Sequence, residues 1–212
     1  MAASIKDQLA NALGRRDEAP NIALAEKISK ASDKKAVEEL IVLMNHKSTP
    51  IRHDAIKVLY EIGERKPELI MAFHDEFIML LDHKDNWMKW GAMSALYEIS
   101  KVKPEIIVKH LTTILDAMDK GSVITRDHGI YILRILASLK KYHNDCMELM
   151  LEQLQKAPVN QVPMYAEKTA EVISFPYIKR IEKILMSRRD VLEIPSKERR
   201  IEKLLKSLHS IK

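Results

Sequence analysis

The chain has 212 residues and a mass of 24.4 kDa, of which 46% are apolar, 31% charged and 5% aromatic, and its formal charge is +5. These values allow one sizeable core and exclude a disordered chain, and the single cysteine excludes a disulfide framework and an all-cysteine zinc site. No stretch reaches the roughly 18 apolar residues of a membrane span. The first residues lack the apolar core of a signal peptide, so we expect a cytoplasmic protein.

The predicted elements begin with a capping helix over residues 5–14, inside an N-terminal cap of residues 1–19. A repeat follows, because the segment 45–70 aligns without a gap onto 82–107, with 11 identities in 26 positions at a shift of 37 residues. Fainter matches continue at the same step toward the C-terminus. The identical pairs include His46/His83, Lys47/Lys84, Ala55/Ala92, Leu59/Leu96, Tyr60/Tyr97, Glu61/Glu98, Ile62/Ile99 and Pro67/Pro104.

Each repeat is predicted to form two helices. Apolar residues recur at helical spacing over 87–100 for the first helix and over 105–118 for the second. Pro67 and Pro104 fall in the first turn of a second helix, where a missing N–H costs nothing. No run shows the alternation of a strand. The chain is therefore predicted to be all-α.

Paired helices at this period, with proline between them and an aliphatic-basic-x-x-small pattern opening the first helix, resemble HEAT repeats. The segments with this pattern are TPIRHDAIKVLYEI, DNWMKWGAMSALYEI and, more weakly, VITRDHGIYILRIL. The resemblance implies one continuous domain over 1–212, a right-handed α-solenoid of about five helical pairs over 20–195. In such a protein each pair buries its apolar face against its neighbours, and the second helices line the concave surface.

Two enzymatic HEAT-type proteins offer alternatives. The pair His53-Asp54 is similar to the His-Glu motif of deoxyhypusine hydroxylase, but the aligned positions in later repeats do not repeat the pair. One pair cannot hold two irons, so we predict no metal and no cofactor, and a solvated pair at the start of a helix. The segment DNWMKWGAMSAL is faintly similar to a tryptophan-bearing helix start in HEAT-like alkylpurine DNA glycosylases, which require a basic groove.

An acidic stripe argues against such a groove. Glu38 and Glu39 in one second helix, and Asp75 and Glu76 in the next, stand 37 residues apart and are predicted to face the concave side. A carboxylate surface repels phosphate and favours a basic peptide or helix. The alternative is a solvated helix face.

An aromatic patch is a second candidate partner site. Trp90 occupies a position that is His53 in the previous repeat and Asp127 in the next, so it is predicted to face outward, roughly in line with Tyr97. These rings either anchor a partner or pack between adjacent first helices. Trp87 is predicted to lie in the core. Cys146 is predicted to be a buried structural thiol.

The C-terminus is a third candidate. Residues 176–212 hold eleven cations and five anions, whereas residues 1–175 are nearly neutral. Residues 196–212 are predicted to form a basic amphipathic cap helix that includes Arg199, Arg200 and Lys203. This helix either caps the solenoid or docks on an acidic surface or nucleic acid. The sequence therefore predicts a non-enzymatic scaffold for a protein or peptide partner, and the acidic stripe favours a basic one. Nucleic-acid binding is the disfavoured alternative.

Overall fold

The computed structural model describes residues 4–209, apart from the side chain of Arg189, and contains helices and turns with no strand in that range. The predicted caps also include residues 1–3 and 210–212, which lie outside the described range. Three short 3-10 helices accompany the α-helices at Lys6–Gln8, Pro67–Leu69 and Met71–Phe73. The described α-helices are α1 (Ala19–Ala31), α2 (Lys34–Leu43), α3 (Thr49–Arg65), α4 (His74–Leu80), α5 (Asn86–Val102), α6 (Pro104–Lys109), α7 (Leu111–Lys120), α8 (Val123–Ala137), α9 (His143–Gln155), α10 (Val162–Ala170), α11 (Phe175–Ser187), α12 (Arg189–Leu192) and α13 (Pro195–Leu208).

The chain divides into two compact units, with the boundary between Gly129 and Ile130, inside α8. Residues up to 129 form the first unit and the remaining residues form the second. Whether the whole chain behaves as one domain stays a prediction.

The first unit is built by stacking the long first helices of successive repeats. Helix α1 packs on α3 and α3 packs on α5, while α2 covers α3 and α4 covers α5. The predicted apolar stripe is the core of this stack, because Leu59, Ile62, Leu96 and Ile99 are all fully buried. Burial of such side chains stabilises the fold by about 1.5–3 kcal/mol each, and it depends on the neighbouring repeat being present.

Polar bonds between neighbouring repeats follow the same stacking. They join residues about 33 positions apart, which is the 37-residue period less one helical turn of about 3.6 residues. A side chain on the first helix of one repeat therefore contacts a residue of the next repeat that lies one helical turn before the equivalent position. Pairs of this kind in the first unit are Asn21 with Asp54 at 2.8 Å, His53 with Asp85 at 2.5 Å and Ser94 with His128 at 3.0 Å.

The second unit uses the same kind of contact. Helix α9 packs on α10 and α11, and α13 packs on α10, α11 and α12. His143 bonds to Ser174 at 2.8 Å through Nε2, and Arg180 pairs with Glu148. The 37-residue helical pairs predicted from the sequence therefore continue, with diverged side chains, into this unit.

The second helix of a repeat is less regular than the spacing predicts. In place of one helix over 105–118, the chain forms α6 and α7, separated by His110 at φ −109° and ψ 13°. The β-branched run Ile106, Ile107, Val108 precedes this break, and such residues lower helix propensity. The preceding repeat is broken further, into two 3-10 turns and the short α4.

The predicted N-terminal capping helix over 5–14 is wrong. Only Lys6–Gln8 forms a 3-10 turn, and the rest of the segment is a series of turns. Side chains from elsewhere bind the backbone donors that a helix would use internally. The Ala10 N–H donates to the Asn21 side chain at 2.9 Å, and the Asn11 N–H donates to Asp54 at 2.7 Å.

The repeated histidines His46 and His83 hold equivalent turns. In each the Nδ1 atom accepts a backbone N–H, from Ser48 and Asp85 respectively, at 3.0 Å. A nitrogen that accepts carries no proton, so the neutral ring is the one that shapes this turn. Arg52 of α3 also stabilises the turn that follows α2, because it donates to the carbonyl oxygen of His46 at 2.9 Å.

Candidate functional site

The acidic stripe consists of Glu38, Glu39, Asp75 and Glu76, and the structure places all four at the surface of α2 and α4. Glu38 and Asp75 are exposed, while Glu39 and Glu76 are half-buried. Glu39 accepts the backbone N–H of Lys6 at 3.4 Å. Within residues 4–209, the carboxylates of Glu38 and Glu76 make no ion pair and no side-chain hydrogen bond, so they are available to a cationic partner.

The charges on the first helices are different, because they neutralise one another. Lys57 is 8% exposed, and its Nζ lies 2.8 Å from Glu18 and 2.9 Å from Glu61. Arg65 adds a 2.6 Å bond to the second oxygen of Glu61. Burial opposes the charge on Lys57, but the hydrogen bonds to Glu18, Tyr60 and Glu61 outweigh it and raise the pKa of Lys57 above its usual range. This network joins α3 to the start of α1.

Two further pKa shifts follow from the same network. Burial raises the pKa of Tyr60 to about 12, although the nearby Lys57 opposes the shift. Burial would raise the pKa of Glu61 as well, but the bonds from Lys57 and Arg65 hold it below its usual range. The fold therefore stabilises the ionised forms of both Lys57 and Glu61.

The Tyr-Glu dipeptide recurs with a related arrangement in the next repeat. Lys101 lies 2.6 Å from Glu98, and its Nζ stands 4.3 Å from the centre of the Tyr97 ring. Tyr97 is half-buried and meets His128 edge-on at 6.2 Å. The predicted partner residue Tyr97 therefore already has a cation over its ring.

Trp90 belongs to an aromatic cluster between α3 and α5. Its ring lies 5.5 Å from Tyr60 and 5.0 Å from Trp87, and Trp87 stacks on His53 at 5.2 Å. Trp90 is half-buried by these contacts, which match the packing between adjacent first helices that the sequence left open. The prediction that Trp87 lies in the core is wrong, because 36% of it is exposed.

A cleft opens beside the exposed face of Trp87. Its volume is about 340 Å³, which lies at the lower end of the range for small-molecule sites. The N-terminal turns form one wall and α3 forms the other. Residues that line it include Arg15, Arg16, His53, Asp54, Lys57 and Trp87.

His53 and Asp54 are not the solvated pair that the sequence predicted. Asp54 accepts from Asn11 and Asn21, and His53 bonds through Nε2 to Asp85. Burial alone would raise the pKa of Asp85, but the His53 bond and the Trp87 N–H hold it below its usual range. Both side chains thus serve contacts between repeats.

One group of three side chains was not predicted from the sequence. His74 and Asp75 begin α4, and His110 lies at the break between α6 and α7, yet their ligand-type atoms all lie within 4.8 Å of one another. Asp75 is also part of the acidic stripe. The sequence holds one signal for this group, the spacing of 36 residues between the two histidines, one less than the period.

The basic residues of α13 play different roles. Arg200 forms a two-pronged pair with Glu167 of α10, at 2.9 and 2.7 Å. Arg199 and Lys203 are exposed. The helix predicted over 196–212 is present as α13 as far as Leu208, and Arg200 is one residue that holds it against α10; its role as a cap stays a prediction.

Comparison with known proteins identifies the type of fold. No protein-family model matches the sequence, and no curated protein matches it either. Among solved structures, a designed armadillo repeat protein in complex with the peptide (KR)4 aligns with a TM-score of 0.59 over 97% of this chain and 100% of its own, at 12% identity. The fold is armadillo-like.

Two further structures agree. Armadillo repeat proteins computationally designed for modular peptide recognition give a TM-score of 0.60 at 14% identity, over 95% of this chain and 97% of theirs. An engineered protein from a structural genomics consortium gives 0.62 at 18% identity, over 99% and 100%. The prediction of an all-α fold of HEAT-like helical pairs is confirmed as an all-α, armadillo-like helical repeat fold. Among the helices of residues 4–209, none of this armadillo-like array has the length and apolarity to cross a membrane.

Proposed function

We propose that this protein is a non-enzymatic interaction scaffold that binds a basic peptide through the acidic stripe. The observation that supports this most directly is the contrast between the buried carboxylates of the first helices and those of the acidic stripe. The buried carboxylates Glu61 and Glu98 are neutralised by neighbouring lysines. Glu38 and Glu76 on the second helices have no such partner within the described residues.

Repetition suits such a stripe to an extended ligand. Glu38 and Asp75 occupy equivalent positions in successive repeats, so a peptide with alternating cations could pair with one repeat after another. Each exposed ion pair contributes about 0.2–1 kcal/mol, so several pairs are needed for useful affinity. Designed armadillo proteins of the same fold support the idea, since one was solved with a peptide of alternating Lys and Arg.

The aromatic residues are proposed as a secondary contact. Trp90 and Tyr97 are half-buried on α5, and the exposed parts of their rings offer an apolar contact for a side chain of the partner. Because both rings pack inside the first unit, only a small part of each can contact a partner. The acidic stripe therefore remains the main site in this proposal.

A labelled (KR)4 peptide tests the proposal by fluorescence anisotropy at low salt. We expect the protein to bind it, with affinity falling as salt rises. Replacement of the four stripe carboxylates by the corresponding amides should weaken binding about fourfold or more, since four pairs at the lower end of the range sum to about 0.8 kcal/mol. This variant carries the four substitutions Glu38→Gln, Glu39→Gln, Asp75→Asn and Glu76→Gln.

The matched control removes the same charge elsewhere. Glu64, Glu68, Glu193 and Glu202 are all exposed, and the variant with Gln at these four positions should bind (KR)4 as the parent does. Equal loss in both variants would mean that only net charge matters. Absence of binding at low salt, or undiminished binding by the stripe variant, would refute the proposal.

Nucleic-acid binding is the second candidate, and the exposed cations of α13 favour it. Arg199 and Lys203 point into solvent, whereas Arg200 is held by Glu167. If α13 binds nucleic acid, Arg199→Ala with Lys203→Ala should reduce retention of a DNA duplex at low salt, and deletion of residues 196–212 should abolish it. No retention of the duplex by the parent protein would reject this candidate.

A further inference from the structure

The cluster of His74, Asp75 and His110 has the composition of a metal-ligand set. Two imidazoles and a carboxylate are the donors that Zn²⁺ and similar divalent ions prefer. The three residues come from two successive repeats of the first unit and meet where α4 faces the junction of α6 and α7. Nothing in the repeat pattern requires them to be close, because the histidines are not at equivalent positions.

The distances fit a shared ion better than a hydrogen bond. The Nε2 atom of His74 lies 3.4 Å from Oδ1 of Asp75, and the Nε2 atom of His110 lies 3.6 Å from the same oxygen. Hydrogen bonds of this kind are shorter, at about 2.7–3.2 Å. In a tetrahedral site with bonds of about 2.0 Å, two donor atoms are separated by roughly 3.3 Å. The two rings are 5.7 Å apart and tilted by 58°, so both nitrogens can turn toward one point near Asp75.

The orientation of His74 has a separate cause. Its Nδ1 atom lies 3.2 Å from the carbonyl oxygen of Met71, and a carbonyl can only accept. The proton is therefore on Nδ1, which leaves the lone pair on Nε2, the nitrogen that faces Asp75. This is the arrangement that orients histidine ligands in metalloproteins.

Access to the site is open on one side. The side chains of His74 and His110 are 25% and 27% exposed, while that of Asp75 is 69% exposed. An ion held by these three residues would keep a fourth position for water or for a group from a partner.

We propose that His74, Asp75 and His110 bind one divalent transition-metal ion of the Zn²⁺ class. The ion joins α4 to the α6–α7 junction, so it ties one repeat to the next. Since the ligands must be deprotonated, binding weakens at acid pH. Peptide binding requires no metal, but Asp75 belongs to both the acidic stripe and this site, so a bound ion would neutralise one carboxylate of the stripe.

Isothermal titration calorimetry with ZnCl₂ tests the site, using full-length protein treated with chelator and then dialysed. We expect one Zn²⁺ per chain and a Zn²⁺-dependent rise in the thermal midpoint. Asp75→Asn and His110→Gln, made separately, should each weaken binding by about tenfold or more. Titration with Co²⁺ should give the visible absorption of a tetrahedral N/O site.

The matched control is His209→Gln, which removes an exposed histidine from the far end of the chain. It should bind Zn²⁺ as the parent does. Circular dichroism of each variant checks folding, and Asp75→Asn provides a readout even if a histidine variant unfolds, because Asp75 is mostly exposed. The proposal is overturned if the parent binds no Zn²⁺, or if Asp75→Asn and His110→Gln bind it as tightly as the parent.

Discussion

The Nε2 atom of His53 lies 2.5 Å from Oδ2 of Asp85, and this contact joins the first helix of one repeat to the beginning of the next. The other oxygen of Asp85 accepts the Trp87 N–H at 2.9 Å and so caps α5. The imidazole also stacks on the Trp87 indole. One aspartate thus begins a helix, fixes a histidine and positions an aromatic ring at the edge of the cleft.

Asp85 should make stability depend on pH in the acid range. Its pKa is lower in the folded protein than the ordinary value of about 3.9. Its contribution is therefore complete above that value and is lost as pH falls through the folded pKa. Asp85→Asn should lower the free energy of unfolding by about 1 kcal/mol at pH 7, and the difference should shrink between about pH 5 and about pH 2.

Urea unfolding of both proteins across this range measures the effect. Asp116→Asn is the control, because Asp116 is exposed and lies 3.9 Å from Lys120, where an ion pair contributes little. A constant difference between Asp85→Asn and the parent at every pH would contradict the prediction.

Lys57 should be the most sensitive lysine of the first unit. Lys57→Met leaves Glu61, whose side chain is 10% exposed, with only Arg65 as a partner. Loss of one member of a buried pair costs about 3–5 kcal/mol, and the remaining Arg65 reduces this to about 2 kcal/mol. Lys30→Met, which removes an exposed pair with Glu26, should leave stability nearly unchanged. Similar urea midpoints for the two variants would show that the Lys57 network contributes little.

Gly91 is required by the close approach of α5 to α3. A Cβ atom at this position would lie 2.6 Å from Cγ1 of Ile56. Alanine gains up to about 1 kcal/mol of helix propensity over glycine, whereas overpacking costs about 1–3 kcal/mol. Gly91→Ala should therefore reduce the free energy of unfolding by about 1 kcal/mol.

A double-mutant cycle isolates this clash. With Ile56→Ala already present, the added Cβ meets only the remaining Cβ at 3.6 Å, an ordinary contact, and Gly91→Ala should become neutral or stabilising. If Gly91→Ala costs the same in both backgrounds, contact with Ile56 is not the reason for the glycine.

Cys146 should be unreactive in the folded protein. It is 1% exposed, and burial together with Asp145 raises its pKa to about 11. At pH 8 a thiol reagent should label it only when the chain opens, at a rate that rises with urea. Because this is the chain's single cysteine, the labelling signal has one source. Rapid labelling of the native protein would contradict its placement.

The sequence by itself determined the repeat and the helices. The period of 37 residues, the apolar spacing and the prolines at helix starts are local signals, and each depends on residues close together in the chain. They were sufficient for the all-α repeat fold, for α5 and for the C-terminal helix α13. The acidic stripe was also found this way, because it follows the period, and its role in binding stays a prediction.

Tertiary structure decided the features that depend on residues one repeat apart. The N-terminal segment is not helical because Asn21 and Asp54 bind its backbone donors. Trp87 stacks on His53 at the surface, with 36% of it exposed, and does not lie in the core. Such contacts combine the register of neighbouring helices with side-chain direction, and neither is encoded by local spacing.

The cluster of His74, Asp75 and His110 shows the physical reason most plainly. The histidines are 36 residues apart, one short of the period, so an alignment of repeats does not pair them. His110 lies at the break between α6 and α7, one position before the equivalent of His74, and the rings of the two histidines lie 5.7 Å apart. The group therefore depends on contacts between neighbouring repeats, which an alignment of the repeats does not show.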